Sequence, residues 1–278
     1  MQWNQHARKL RPEEIKAVFV DVDGTLVSLN THRPVPEAMA ALARIQASGR
    51  KVCLATGRSY QVLGDLKKRP FDAFVCSSGQ YSILGDGSVV REQYLANADI
   101  QALCDFLEHK QRMGDESFDM AFIGLEQTYF NHVSPLTAAL SEELNFGLHP
   151  LADFETIRNG SWLQLMYFGG VEGQAEILQR MPASQATRWH SGFIDIMPLS
   201  GGKGDGVRAI CEIFAIDPAH AICIGDGEND IAMFREAGLA VAMGNGTQAA
   251  KEAADLVTDP VDENGLVAAL AELGLINS

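Results

Sequence analysis

The sequence predicts an α/β protein: a doubly wound parallel sheet into which a separate α+β unit is inserted. Three observations carry this. Short apolar runs alternate with helical stripes near both ends of the chain. Three of those runs stop abruptly at small polar clusters. Between about residues 80 and 193 the alternation gives way to hairpin-like strands.

The first run, Ala17 to Val20, is apolar at every position, the pattern of a strand buried on both faces, and it ends at Asp21, Asp23, Gly24 and Thr25. Pro36 to Ala47 follows as a helix, with Met39, Leu42, Ala43 and Ile45 on one stripe, Pro36 suited to the first turn and Gly49 beyond its end. Lys51 to Ala55 is a second strand running into Thr56-Gly57-Arg58, then a helix from about Ser59 to Lys68 and a third strand from Phe71 to Cys76. Strand, helix and strand in succession imply right-handed crossovers and parallel pairing.

Tyr81 to Val90 reads as a hairpin about the Asp86-Gly87 turn. A helix is predicted over Asn97 to Met113, strands over Met120–Ile123, Gln127–Phe130, Trp162–Phe168 and Ala186–Trp189, and helices near Pro135–Leu144 and Gln174–Arg180. The first pattern returns around Phe193. Val207, Ile210, Cys211 and Phe214 form a helical face. A strand at Ala221–Ile224 runs into Asp226-Gly-Glu-Asn-Asp230. The tail then alternates helix Ile231–Ala237, strand Leu239–Met243, helix Thr247–Ala254 and strand Leu256-Val257. Residues 1–82 and 191–278 are thus read as one core domain, and 83–190 as the insertion, a cap.

The chain's 278 residues suit two domains, and the 46% hydrophobic share suits a sizeable core. No apolar run reaches the roughly 18 residues of a membrane span. The basic N-terminal residues are followed by no apolar stretch of the secretory type. The five cysteines are scattered, with Cys53 and Cys223 inside apparent strands, which fits reduced packing thiols and a cytoplasmic setting. A formal charge of −14 repels nucleic acid, and the densest basic run, Lys67-Lys68-Arg69, is too short to reverse that, so neither nucleic acid nor membrane is expected as a partner. An anionic substrate meets the same repulsion, so its site needs a metal and local cations.

Parallel neighbours would bring Asp21, Thr56 and Asp226 to one sheet edge, where open α/β sheets bind ligands. An EF-hand is excluded, because Leu26 and His32 stand where its loop requires Gly and Glu. A P-loop is excluded as well: Gly204 follows Lys203 where Ser or Thr belongs, and Met197 replaces the leading Gly. Hydrolysis of a phosphate monoester fits the three endings. Asp21 can act as nucleophile, and Asp23, two residues on along an extended chain, as acid and then base. Two acids and a dianionic phosphate require a cation, and Mg²⁺ suits the all-oxygen set of Asp21, Asp226 and the Asp23 backbone carbonyl. Asp230 is placed to orient the metal's waters. Thr56 and Gly57 offer donors ahead of a helix start, Lys203 a point charge and Asn229 an amide, which can serve as a helix cap at the same time.

Asp21-Val-Asp-Gly-Thr, Thr56-Gly-Arg, Lys203 and Gly225-Asp-Gly-Glu-Asn-Asp230, in that order, resemble the haloacid dehalogenase superfamily. The placement of the insertion resembles its Cof-type phosphatases, with a large α/β cap on a Rossmann-like core. The resemblance implies an Mg²⁺-dependent phosphohydrolase with an aspartyl-phosphate at Asp21 and Asp23 as acid/base. It implies phosphate binding by the backbone N–H of Val22, Thr56, Gly57, Lys203 and Asn229, and metal binding by Asp226. Its substrates would be small phosphorylated metabolites such as a sugar phosphate, flavin mononucleotide or pyridoxal phosphate. Asp23 argues for phosphoryl chemistry, because dehalogenases lack a second acid. A phosphotransferase or mutase using the same aspartyl-phosphate, and a non-catalytic phosphometabolite-binding regulator, are the rival readings. Ser78-Gly79 departs from the Asn-Gly common in relatives, and Gly246 from the usual Ala. Specificity is expected from the cap, where Tyr129, Phe130, Trp162 and Tyr167 can stack on a ring or simply pack, and His132 and His190 can meet substrate or serve the surface.

Overall fold

Five apolar strands, Ala17–Val20, Lys51–Ala55, Ala73–Cys76, Ala221–Gly225 and Leu239–Ala242, form the parallel centre of a nine-stranded sheet. They do so in a computed structural model that describes residues 1–5, 7–8, 10–143 and 146–277, the side chains of Trp189 and His190 excepted. The sheet runs in the order Gln2–Trp3, Leu256–Val257, Leu239–Ala242, Ala221–Gly225, Ala17–Val20, Lys51–Ala55, Ala73–Cys76, Tyr81–Leu84, Val89–Glu92. In register, Val18 lies opposite both Val52 and Ile222. All four residues of Ala17–Val20 are fully buried, which is why that run shows no alternation. On one face, helix Lys203–Ile213 lays Val207, Ile210 and Cys211 against a cluster that includes Phe19, Cys53, Val75 and Cys223. All five cysteines are free and buried, and burial pushes their thiols up, away from reactivity.

By internal packing the chain divides into Met1–Arg91 with Gly202–Ser278, and Glu92–Gly201. The division expected at 82/83 and 190/191 therefore moves to 91/92 and 201/202. The hairpin Tyr81–Leu84/Val89–Glu92 explains the first shift, because it continues the core sheet as its edge. A strand missed in the sequence, Phe193–Pro198, explains the second. It pairs antiparallel with Ser184–His190 and with Gln164–Phe168, so the chain has not returned to the core at Phe193.

The inserted unit is a five-stranded sheet in the order Ser184–His190, Phe193–Pro198, Gln164–Phe168, Asp119–Ile123, Thr128–Phe130. Helices Asn97–Arg112, Phe154–Asn159 and Val171–Leu178 cover the face bearing Met120, Phe122, Leu165 and Ile194. Helix Pro135–Glu143 sets Leu140 among Phe130, Phe168 and Phe193 on the other. Phe130, Trp162 and Tyr167 are packing residues here, and Trp162 Nε1 donates to the Ile157 carbonyl at 2.8 Å. His132 Nδ1 meets the buried Asp119 carboxylate at 2.6 Å. The expected end of one helix at Leu144, and any contact of the His190 side chain, lie outside the described residues.

Three other elements depart from expectation. The helix expected over Ser59–Lys68 is instead a 3₁₀ segment, Tyr60–Lys68, broken where Gly64 turns left-handed at φ +56. The short helix Phe154–Asn159, capped by the Asp153 side chain on Thr156 N–H, has too few residues to show a period. The edge strand Gln2–Trp3 is held by tertiary bonds: Asn4 Nδ2 donates to Ala254 O at 2.6 Å, and Arg8 pairs with Asp255 at 3.1 Å.

Candidate active site

Hydrogen bonds at the strand ends fix where the acids emerge. Asp21 N–H donates to Ile224 O at 2.9 Å, and Thr56 N–H to Val75 O at 2.8 Å, so the first, second and fourth motifs leave the sheet along one edge. Gly24 lies at φ +77, and a Cβ there would stand 2.2 Å from Asp226 Oδ2. Glycine is thus what lets the loop after Asp21 close onto the loop bearing Asp226. Asn245 ties the same two loops together: its Nδ2 donates to Gly24 O at 2.8 Å and lies 3.4 Å from Asp226 Oδ2, while its Oδ1 accepts from Val261 N–H at 2.8 Å.

Asp21, Asp226 and Asp230 each bring one carboxylate oxygen within 4.8 Å of the others. Lys203, fully buried, sits against two of them, with Nζ 2.6 Å from Asp21 Oδ1 and 2.5 Å from Asp230 Oδ1. The other Asp230 oxygen accepts from the N–H groups of Asp226 (2.9 Å) and Gly227 (2.8 Å). Both Asp230 oxygens are therefore engaged within the protein, one by the lysine and the other by the loop.

Three carboxylates around one ammonium leave an excess of negative charge. Burial, then the neighbouring Asp230, pushes the Asp226 carboxyl up to about 7. Burial raises Asp21 well above the usual carboxylate range, against the pull of Lys203. Burial alone would lower Lys203, but Asp21 and Asp230 more than offset it, so its pKa is raised and the ammonium persists. An all-oxygen, under-neutralised cluster of this kind fits a hard divalent cation.

Asp23 stands apart from this cluster. Its carboxylate accepts from Arg58 Nε at 2.8 Å and from Arg58 Nη2 at 2.5 Å. Thr56 is buried, and its Oγ1 accepts from Arg58 N–H at 3.1 Å. The N–H groups of Val22 and Gly57 meet no protein acceptor among the described residues. The helix dipole expected behind Thr56 and Gly57 is absent, because the segment that follows is the broken 3₁₀ turn, so any anion there is held by individual donors. Nor does Asn229 cap the next helix. Asp230 occupies that position, and the Asn229 Oδ1 lies against Gly227.

Arg58 and Asn245 are the residues to which the sequence assigned no role. Arg58 lies inside the Thr56-Gly-Arg motif and Asn245 next to Gly246, but the partner that defines each is far away in the chain.

A profile described as haloacid dehalogenase-like hydrolase matches residues 18–270. The chain belongs to that family. Among haloacid dehalogenase-like structures it is similar to the subclass IIB sugar phosphatase BT4131, at 30% identity and a TM-score of 0.85, over 94% of this chain and 100% of that one. It is similar also to the phosphatase BT1666 from Bacteroides thetaiotaomicron, at 30% identity and a TM-score of 0.84, over 94% and 96% of the two chains. YkrA of Bacillus subtilis (strain 168), provisionally named a phosphatase, is 29% identical over 94% of this chain and 98% of its own length. Within the haloacid dehalogenase-like hydrolases, the Rossmann-like core with its inserted α+β unit is the Cof-type phosphatase layout, and the protein is a phosphatase of that kind.

Proposed function

We propose that this phosphatase is Mg²⁺-dependent and removes phosphate from a small phosphorylated metabolite through an aspartyl-phosphate at Asp21. The observation that carries the proposal is the convergence of the Asp21, Asp226 and Asp230 carboxylates within 4.8 Å, with the buried Lys203 ammonium against two of them. Asp21, Asp226 and the backbone carbonyl of Asp23 would hold the cation, with Asp230 supporting from behind. When bound, the cation neutralises the acids and the phosphoryl oxygens, so that an anionic ester can enter an acidic site.

The chain's own residues do the rest. Lys203, the Thr56 hydroxyl, the N–H groups of Val22 and Gly57 and the Asn229 side-chain amide cradle the phosphoryl oxygens, the Thr56 N–H being held by the Val75 carbonyl. A carboxylate oxygen of Asp21 attacks phosphorus, the ester P–O bond breaks, and the departing alkoxide takes a proton from Asp23. A water then attacks the phosphorus, giving its proton to Asp23 while the bond to Asp21 breaks. Inorganic phosphate leaves and both carboxyls return to their starting states.

The likeness to a sugar phosphatase at 30% identity supports sugar phosphates as the first class to try, with flavin mononucleotide and pyridoxal phosphate behind them. The inserted unit, Glu92–Gly201, is the proposed source of specificity. Purified protein with Mg²⁺, assayed for phosphate release across a panel of phosphorylated metabolites, tests the reading. Turnover of one or more is expected, and inertness toward all of them and toward p-nitrophenyl phosphate would refute it.

A further inference from the structure

Arg58 lies at the site and has no part in the mechanism just given, on which the following inference rests. Its guanidinium meets both oxygens of Asp23 through one planar fork, at 2.8 and 2.5 Å. Both side chains keep about a quarter of their surface exposed, 26% for Arg58 and 28% for Asp23. An ion pair so exposed is ordinarily worth little to stability. The backbone beneath it is what sets this one apart.

Arg58 N–H donates to Thr56 Oγ1 at 3.1 Å, and the Arg58 carbonyl accepts from Ser77 N–H at 2.8 Å. Ser78 N–H donates to the Thr56 carbonyl at 3.0 Å. Ser77 and Ser78 make these bonds from the left-handed region, at φ +48 and +53, which costs an L residue about 1–2 kcal/mol at each position. Both serines are buried, and their hydroxyls find no hydrogen-bond partner among the described residues. The side chains therefore give no return for the strain. The return is in the two N–H groups, which strap down the Thr56 and Arg58 carbonyls. Two consecutive strained residues thus fix the base from which the guanidinium reaches Asp23.

We propose that Arg58 is a positioning residue that clamps Asp23 in a single orientation toward the leaving oxygen and, later, the attacking water. Asp23 sits on a loop and has no other side-chain partner among the described residues. Released from the fork, its carboxylate can rotate, and misplacement of a catalytic group by about 1 Å costs on the order of 10²-fold in rate. The competing role for a cation at this position is to bind the phosphoryl group directly, and it leaves a different kinetic signature.

The test compares wild type, Arg58→Ala, Arg58→Lys, Asp23→Asn and the Arg58→Ala/Asp23→Asn double variant, with Mg²⁺ and with thermal melts to establish folding. Each is assayed on an alkyl phosphate ester that wild type hydrolyses and on p-nitrophenyl phosphate. The clamp predicts that Arg58→Ala loses about 10²-fold on the alkyl ester, mainly in kcat, and less than about 5-fold on the nitrophenyl ester when that ester, whose leaving group needs no proton, is read in the pre-steady-state burst of nitrophenol, which precedes the water attack. In the Asp23→Asn background, Arg58→Ala should add less than about 3-fold, because it acts through Asp23. Arg58→Lys keeps the charge without the fork and should show the same ester-selective loss in milder form. It also serves as the test if the alanine variant does not fold. Equal losses on both esters, a loss confined to KM, or fully multiplicative losses in the double variant would overturn the clamp. Wild-type inertness on both esters would instead remove the phosphatase reading beneath it, before any variant is compared.

Discussion

Asp226→Asn should make the metal-free protein more stable above neutral pH, against the usual expectation for a change at an active-site acid. Burial and Asp230 raise the Asp226 carboxyl from 3.8 to about 7. The folded protein therefore keeps this proton over a range where the unfolded chain has released it. Its contribution to stability is full below about pH 4 and is lost as pH rises through about 7. A displacement of about 3 pH units corresponds to about 4 kcal/mol, most of it gone by pH 8. Asparagine carries no such penalty. Urea denaturation at pH 5 and pH 8, with chelator present, measures the difference. Wild type should lose several kcal/mol more than Asp226→Asn between the two pH values. Mg²⁺ should restore wild type at pH 8 and leave the variant nearly unchanged, since the cation takes the place of the lost proton. Equal pH slopes for the two proteins, or equal stabilisation by Mg²⁺, would refute the reasoning.

Other outcomes follow from the same contacts. Lys203→Met strands Asp21 and Asp230 without their buried partner, and should cost about 3–5 kcal/mol at pH 7 by urea denaturation as well as most of the turnover. Gly24→Ala puts a methyl 2.2 Å from Asp226 Oδ2 at a left-handed φ, so Mg²⁺ affinity by titration calorimetry should fall at least about 10-fold; unchanged affinity would show that the loop has room to spare. Asp23→Ala should lose about 10²–10⁴-fold on alkyl esters and far less on p-nitrophenyl phosphate; equal losses would contradict an acid role.

The core of the site is legible in the sequence because each part of it is local. Ala17–Val20, Lys51–Ala55 and Ala221–Gly225 are strands apolar throughout but for Lys51 at the start of the second, they stop at polar residues, and parallel pairing carries those endings to one edge. What escaped is set by distance along the chain. Arg58 finds its carboxylate 35 residues away, and Asn245 bridges to Gly24 across 221. The Tyr60–Lys68 segment has the apolar spacing of a helix, but Gly64 can turn left-handed where any other residue would resist. Phe193–Pro198 reads as the return of the core because a buried apolar run looks alike in either sheet, and only its antiparallel partners assign it to the inserted unit.

Asp21 is the atom-level centre of the account, and phosphate release by wild type and Asp21→Asn, each with Mg²⁺ and with chelator, tests it most directly. Wild type with Mg²⁺ should turn over p-nitrophenyl phosphate, chelator should stop it, and the asparagine variant should be inactive in both conditions with an intact thermal melt. Substantial turnover by Asp21→Asn would show that the carboxylate does not attack phosphorus. Full wild-type activity in chelator would show that the acidic cluster works without a cation.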